Sequence, residues 1–517
     1  MSRPQLTSTN STNTAQPSPA TTQVPKRHHR LRWTLLTVGG LLAVFMIVAG
    51  WLIYRAISIV NTRKLDGSSD KLSFFQQLTH LVASSDQQLQ GEREDRINIL
   101  LLGIGGPGHE GPYLTDTMMV ASIKPSTKQV ALLSIPRDLV VNIPGYDYRK
   151  INNVLAIGRE RHYPGGGDAL AVKVVSSTLD LPIQYYARID FRGFEEIIDR
   201  LGGIKVDVAR AFTDREYPTT NFGYQAIRFN AGSQTMNGDA ALKYARSRHG
   251  NNGEGSDFAR AARQQKILLA TRDKALSLGT IINPKKVADI LGSLGAHHQT
   301  NLEVWEMIRL AKLVGDVNQD TVITKVLDNS PTGLLTAAVG QAGAYILVPK
   351  DDGLGDIRFL AHQIFLIGLA EREQVTVVVA NATRLTGLAD ATTKRLAGFG
   401  ITVASPLSIR GATIGRTVLL DRSQGQAAKT IELVGLYARA QGSISLAEWQ
   451  QQTGDETLAA ALQTVNTPGE AGSGLPGSRR GSAGNTPVNA PPTKTVVLIL
   501  GQDQQSQAAA RLDNNQS

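Results

Sequence analysis

An uncharged apolar run, TLLTVGGLLAVFMIVAGWLIY at 34–54, divides this chain before anything else about it is considered. A helix of roughly twenty such residues reaches across a hydrocarbon core about 30 Å thick, and a run with no charged face has nothing to turn toward water. Trp33, Trp51 and Tyr54 bracket it as interfacial aromatics, so a transmembrane helix is expected over 33–54. The run is too long for a signal-peptide core and no small-residue cleavage site follows Tyr54, which makes it an uncleaved anchor. Lys26, Arg27, Arg30 and Arg32 abut its front, against Arg55, Arg63 and Lys64 behind; the positive-inside bias places the N-terminus in the cytoplasm and the rest outside.

The flanks differ in kind. Residues 1–32 begin as Ser, Thr, Asn, Gln and Pro, a composition that cannot bury enough apolar surface to offset chain entropy, and are expected to be a disordered cytoplasmic tail. After a polar juxtamembrane stretch, 55–92, a first domain is expected over 93–370. It opens on the buried-strand run INILLLGIGG (97–106), followed by MMVASI and QVALLSIP, helical periodicity near 150–160 and 168–180, and a helix closed by Gly-Gly in FRGFEEIIDRLGGIKVDV. The mixture reads as α/β or α+β. From about 373 the strand–loop–helix–strand pattern restarts in VTVVVANATRLTGLADATTKRLAGFGITVA, so a smaller second domain is expected over 373–501. It is interrupted by a disordered Pro-, Gly- and Ser-rich insertion at 464–494, completed by the strand KTVVLILG, and followed by a disordered tail, 502–517.

Composition excludes some chemistries. The chain has no cysteine, which removes disulfides, thiolate catalysis and cysteine-based metal sites. Its net charge of +10 would suit a nucleic-acid binder, but the basic residues are dispersed and no helix-turn-helix or zinc-finger spacing is present. An anionic surface or substrate is the expected partner, and no nucleic acid.

Charge is concentrated in one place, YARSRHGNNGEGSDFARAARQQ (244–265). Arg246 and Arg248 stand before a loop of small residues, Arg260 and Arg263 after it, with only Glu254 and Asp257 nearby. Guanidinium forks suit phosphate oxygens, so a ligand is expected to bring the missing negative charge. With Ser256 as N-cap, Asp257, Arg260 and Gln264 share a helix face and Arg263 reaches the same edge, while Arg246 and Arg248 are expected to point together from an extended segment. Upstream, LTDTMM sets Asp116 before a strand and SIPRD sets Arg137 and Asp138 after the next. Residues at strand ends serve catalysis and turns alike, and spacing alone leaves both readings open.

The ordered series NILLLG…TDTMM, SIPRD, KINNVLAIG, IDFRGFEEIIDRLGGIKVDV, NAGSQTMNGDAALKYARSRH and SDFARAARQQ, behind one anchor, resembles the LytR-CpsA-Psr family of cell-wall glycopolymer ligases over about 93–370. Residues 373–442 with the strand near 495–501 resemble the small LytR C-terminal domain. The resemblance implies a mixed α/β catalytic domain whose apolar tunnel holds a lipid, Mg²⁺, and transfer of a phosphoglycan from a polyprenyl-pyrophosphate carrier to peptidoglycan. It implies Asp116 as metal ligand and Arg137, Arg246, Arg248 and Arg260, with Arg263, as the diphosphate cradle. Asp257 and Gln264 orient that shell, or Asp257 accepts the sugar hydroxyl proton; both roles stay open. The chain departs from the pattern at Gly105 and Leu114, where many members carry an acid and an arginine. His109 and Glu110 are available as substitutes, with Glu110 the expected second metal ligand, although a His and a Glu on a glycine-rich loop are also ordinary solvated residues. A lipid-pyrophosphate pyrophosphatase and a non-catalytic wall-binding module are the alternative functions.

Overall fold

The structure, a computed structural model, describes residues 88–219, 223–277, 294–302, 306, 309–310, 313, 317, 321–350, 353–409, 414–440, 443–444, 448 and 494–504. The expected tail at 1–32, anchor at 33–54, nearly all of the juxtamembrane stretch 55–92, and the insertion at 464–494 up to residue 493 lie outside them. Among the described residues no helix is long and apolar enough to cross a membrane.

A six-stranded sheet forms the first core. Its strands are β1 (Ile97–Ile104), β2 (Thr115–Lys124), β3 (Gln129–Ser134), β6 (Tyr185–Asp190), β11 (His298–Thr300) and β12 (Val322–Val326), in the order β11-β6-β1-β2-β3-β12. β1 pairs parallel with β6 and β3 with β12, while β2 runs antiparallel between β1 and β3. The near-continuous apolar runs are the signature of a sheet covered on both faces. Leu100, Leu102, Met118, Val120, Ala131 and Leu133 face helices α1 (Val154–Glu160) and α2 (Gly166–Leu179), packing with Val154, Leu170 and Val174. The alternate residues, Ile99, Met119 and Leu132 among them, face the opposite way.

That opposite side is roofed by α3 (Phe191–Arg200), α4 (Gly238–Arg246) and the long α5 (Asp257–Ser277). Smaller pairs decorate the rim: the β4–β5 hairpin (Val140–Ile143, Asp147–Lys150), β7 (Ile204–Val208) with β10 (Gly232–Met236), the β8–β9 hairpin (Phe212–Pro218, Tyr224–Phe229) and the β13–β14 hairpin (Leu335–Val339, Tyr345–Pro349).

Helices α6 (Gly355–His362) and α7 (Ile364–Glu373) lead to a second sheet, ordered β16-β15-β19-β17-β18. Here β15 is Thr376–Asn381, β16 Leu407–Ser408, β17 Val418–Asp421, β18 Ser443–Ile444 and β19 Thr495–Leu500. The strand expected near 495–501 is thus central, parallel to β15 and antiparallel to β17, with all six residues buried. Helices α8 (Leu388–Gly398) and α9 (Ala428–Ala438) pack on this sheet. Leu396 and Leu433 join Val377, Ile364 and Leu133 in one continuous apolar core, so the second sheet is not a separate bead. Lys325 on β12 also binds Glu371 on α7 and donates to the Phe399 carbonyl at 2.9 Å.

Candidate functional site

Because β1, β3, β6 and β12 run parallel, their carboxyl ends share one edge of the sheet with the start of β2. Ligands of open α/β sheets bind along such an edge. Asp116 is the second residue of β2, and Arg137 follows β3 by three residues. Arg137 donates from Nη1 to Asp116 Oδ1 at 2.7 Å. Its Nε lies 3.5 Å from Asp138 and 4.0 Å from Asp257 and makes no hydrogen bond among the described residues. Asp138 is held instead by Lys150 Nζ at 2.6 Å. Burial works against the charge on Arg137, but Asp116 and the other two carboxylates outweigh it and raise its pKa, so it stays a cation.

Arg246 and Arg248 do not lie on one extended segment, as their spacing suggests. Asn237 caps α4 by accepting from Ala240 N at 2.9 Å, and the helix continues through Arg246 itself. The Arg246 guanidinium sits 4.1 Å from the Phe191 ring centroid, with Tyr217 beside it. Arg248 lies past the helix end, on a turn fixed by Asp214, which no motif in its own stretch of sequence marks. Asp214, on β8, is buried, and its Oδ2 accepts from Ser247 Oγ at 2.7 Å and from the backbone N–H groups of Arg248 and His249 at 3.1 Å each. Burial pushes the Asp214 pKa up, but the donors from Ser247, Glu216, His249 and Arg248 overcome it and hold the carboxyl below its ordinary value. Nothing local in FTDREYP marks this residue, because the three donors that tie it to the turn, from Ser247, Arg248 and His249, are more than thirty positions away.

A carboxyl whose folded pKa is depressed stabilises the fold above its unfolded value, about 3.9 for Asp, and loses that contribution as pH falls through the lower folded value. Asp214→Asn is therefore expected to be less stable than wild type at neutral pH, with the difference shrinking on acidification below about pH 4. Denaturant midpoints of both proteins across that range check this; a constant gap would mean that Asp214 is not held ionised by the turn.

Helix α5 starts where expected, with Ser256 Oγ accepting from Ala259 N at 3.0 Å. Asp257 then gathers the arginines, 2.8 Å from Arg248 Nε and 3.2 Å from Arg260 Nη1. Burial raises its pKa, but Arg260, Arg248 and Arg137 together carry it below the usual carboxylate range. Arg260, only 6% exposed, is pushed down to about 10 by burial and is still protonated at neutral pH, with Asp257 supporting the charge. Gln264 donates to the Ala245 carbonyl at 3.3 Å.

Arg263 does not join this set. Its guanidinium is almost wholly buried and donates to the carbonyls of Tyr244 (2.9 Å), Glu254 (3.0 Å) and Ser247, and to Glu254 Oε2 at 2.6 Å. It reaches inward to tie the 247–254 turn to α5. Arg137, Arg248 and Arg260 thus face Asp116 and Asp257, one guanidinium more than carboxylates, while Arg246 lies against Phe191 and Tyr217 with Glu195 the carboxylate that feels its charge.

Beside this cluster the sheet and its roof enclose an apolar cavity of about 290 Å³. Its floor is Ile99, Leu101, Met119 and Leu132 and its roof Phe194, Leu242 and Ile267; Arg246 and Gln264 supply polar groups where it meets the cluster. The glycine-rich loop also turns inward. A Cβ on Gly105 would lie 2.9 Å from the His109 Cβ, and the His109 ring packs edge-on against Phe191 at 5.1 Å. His109 therefore fills the space that a side chain at 105 would occupy. Burial and Arg246 lower its pKa against the pull of Asp190 and Asp116. Glu110 is exposed on the same loop.

Among the described residues no group of three or more His, Asp or Glu side chains is placed to hold a metal ion. Mg²⁺, however, accepts one or two carboxylates and completes its shell with phosphate and water. Asp116, about one-third exposed with one oxygen engaged by Arg137, fits that partial role.

This parallel-edged sheet, with an arginine cluster at the mouth of an apolar cavity, belongs to the LytR-CpsA-Psr class, and the chain is a member of that family: the family model LytR_cpsA_psr matches residues 62–350. Among its relatives is the polyisoprenyl-teichoic acid–peptidoglycan teichoic acid transferase TagU of Oceanobacillus iheyensis, 32% identical over 290 residues, which cover 54% of this chain and 80% of the relative. TagT of Bacillus subtilis, which carries the same description, is 28% identical over 327 residues, covering 61% of this chain and 92% of TagT. A crystal structure of B. subtilis TagV superposes on 52% of this chain and 97% of its own, with 28% identity and a TM-score of 0.41.

Proposed function

We propose that this protein is a membrane-anchored extracytoplasmic phosphotransferase that moves a phosphoglycan from a polyprenyl pyrophosphate to a peptidoglycan hydroxyl. The observation that carries the reading is the excess guanidinium charge at the mouth of an apolar cavity, which suits a ligand that is lipid at one end and diphosphate at the other. The descriptions of TagU and TagT as teichoic acid transferases support it. The run at 33–54 would hold the domain against the membrane that carries such a lipid.

Phosphoryl transfer is catalysed mainly by positioning and by neutralising charge on non-bridging oxygens. Arg246 and Gln264 meet the phosphate nearer the lipid, while Arg137, Arg248 and Arg260 surround the phosphate to be transferred. Asp257 keeps three guanidiniums in register. Its depressed pKa suits it to that task better than to holding a proton, since a general base works best with a pKa near the operating pH. A new P–O bond forms to the acceptor oxygen as the bond to the bridging oxygen breaks; polyprenyl phosphate leaves and the hydroxyl proton passes to solvent. Mg²⁺, held by Asp116 with the diphosphate, would add further charge neutralisation on the phosphate oxygens.

The test supplies the full chain with polyprenyl-pyrophosphate-linked labelled glycan and peptidoglycan, with and without Mg²⁺. Label is expected on peptidoglycan in the presence of the metal. Label released only to water would replace transfer by hydrolysis, and binding without turnover would leave a wall-binding module.

A further inference from the structure

In-line displacement needs a seat for the attacking hydroxyl as well as a cradle for the diphosphate. The cavity takes lining residues from β1, β2, β3 and β6 and none from β12, β13 or β14, so the flank of Arg137 toward β12 is a different surface. There the β13–β14 hairpin docks beside the chain that follows Arg137. Leu347 N donates to the Asp138 carbonyl at 2.9 Å, and Leu139 and Leu347 form a parallel bridge. Two residues back along each segment stand Arg137 and Tyr345, so the register sets Tyr345 alongside the cluster.

Tyr345 is 48% exposed, and Asn329 Nδ2 donates to its hydroxyl at 3.2 Å, which fixes the heading of the ring. Val339, its direct partner across the hairpin, is 79% exposed. The paired residues therefore present an open apolar surface on one face of the hairpin. Burial and the carboxylates of Asp138 and Asp257 push the Tyr345 phenol above its ordinary value, with the Asn329 hydrogen bond opposing them.

We propose that Tyr345, Asn329 and Val339 form the seat of the acceptor glycan strand, with the tyrosine ring stacking on the apolar face of a pyranose and Asn329 binding one of its polar substituents. An aromatic with a fixed polar tip, next to an amide, is the pairing that a sugar ring with one apolar face and peripheral polar groups requires. The choice of acceptor over donor sugar rests on the transfer reading above. If the leaving lipid phosphate lies toward the cavity, the nucleophile must arrive from the far side of the phosphorus, and Tyr345 stands on a flank outside the cavity lining.

The experiment measures binding of a soluble peptidoglycan tetrasaccharide, and separately of a polyprenyl pyrophosphate, to the full chain in detergent, for wild type, Tyr345→Ala and Tyr345→Phe. Loss of stacking is expected to weaken tetrasaccharide binding about tenfold in Tyr345→Ala. Tyr345→Phe keeps most of the affinity, and pyrophosphate binding is the same in all three. Unchanged tetrasaccharide affinity in Tyr345→Ala, or an equal loss for both ligands, would overturn the assignment. Tyr345-dependent tetrasaccharide binding by a protein that transfers no phosphoglycan would retain the seat and refute the transfer reading instead.

Discussion

Replacing Arg246 and Arg248 together by alanine is expected to lower turnover of a polyprenyl pyrophosphate by about 10³-fold or more, since removal of a single preorganised donor to a developing oxyanion commonly costs ~10²–10³. The fold should survive. Arg246 rests on Phe191 and makes a long contact, 3.4 Å, to the Tyr217 hydroxyl; among the described residues the Arg248 side chain is bound by Asp257. Among the described residues neither guanidinium holds a backbone carbonyl, and after the substitution Asp257 keeps Arg260 at 3.2 Å. The loss should therefore appear in single-turnover rates and diphosphate affinity, with little change in the thermal midpoint. A folded double variant with wild-type turnover would remove these residues from the chemistry.

The opposite pattern is expected at Arg263. Arg263→Met should destabilise the domain by about 3–5 kcal/mol, the range for breaking a buried ion pair from one side. The methionine fills much of the volume but leaves the Glu254 carboxylate and the carbonyls of Tyr244, Ser247 and Glu254 without their donor. Those groups join the end of α4 and the following turn to α5, so their loss loosens the frame on which Arg248 and Asp257 stand. Denaturant unfolding measures the cost directly. Unchanged stability with a selective loss of diphosphate affinity would return Arg263 to the anion-binding set. Two arginines fifteen positions apart in one stretch thus have opposite expected phenotypes, and the distinction comes from which carbonyls surround one of them.

Much of the frame was legible because it rests on local quantities. Apolar runs at 99–102 and 130–133 announce strands covered on both faces, and the structure has them within β1 and β3. A serine before DFARAARQQ announces a capped helix, which sets Asp257, Arg260 and Gln264 at spacings that share a face; the cap and the helix are where that spacing requires. The late strand at 495–500 is visible in its composition, although its place between β15 and β17 is not.

What stayed hidden depends on distance through space. Periodicity and propensity report how a residue sits on its own element, whereas the partner that fixes or consumes a charge is set by which elements the fold brings together. Arg263 and Arg260 look alike in ARAARQQ, but only the packing of α5 against the 247–254 turn encloses the first in carbonyls and leaves the second facing Asp257. Asp214 reaches the 247–249 turn only because β8 and β9 fold back beneath it. His109 enters the space above Gly105 only because its loop doubles over the end of β1. The strands, the capped helix and the concentration of arginines were readable along the chain, as functions of neighbouring residues; tertiary packing settled which of those arginines is saturated by backbone carbonyls, because hydrogen-bond saturation is a property of the enclosing elements and not of the chain order.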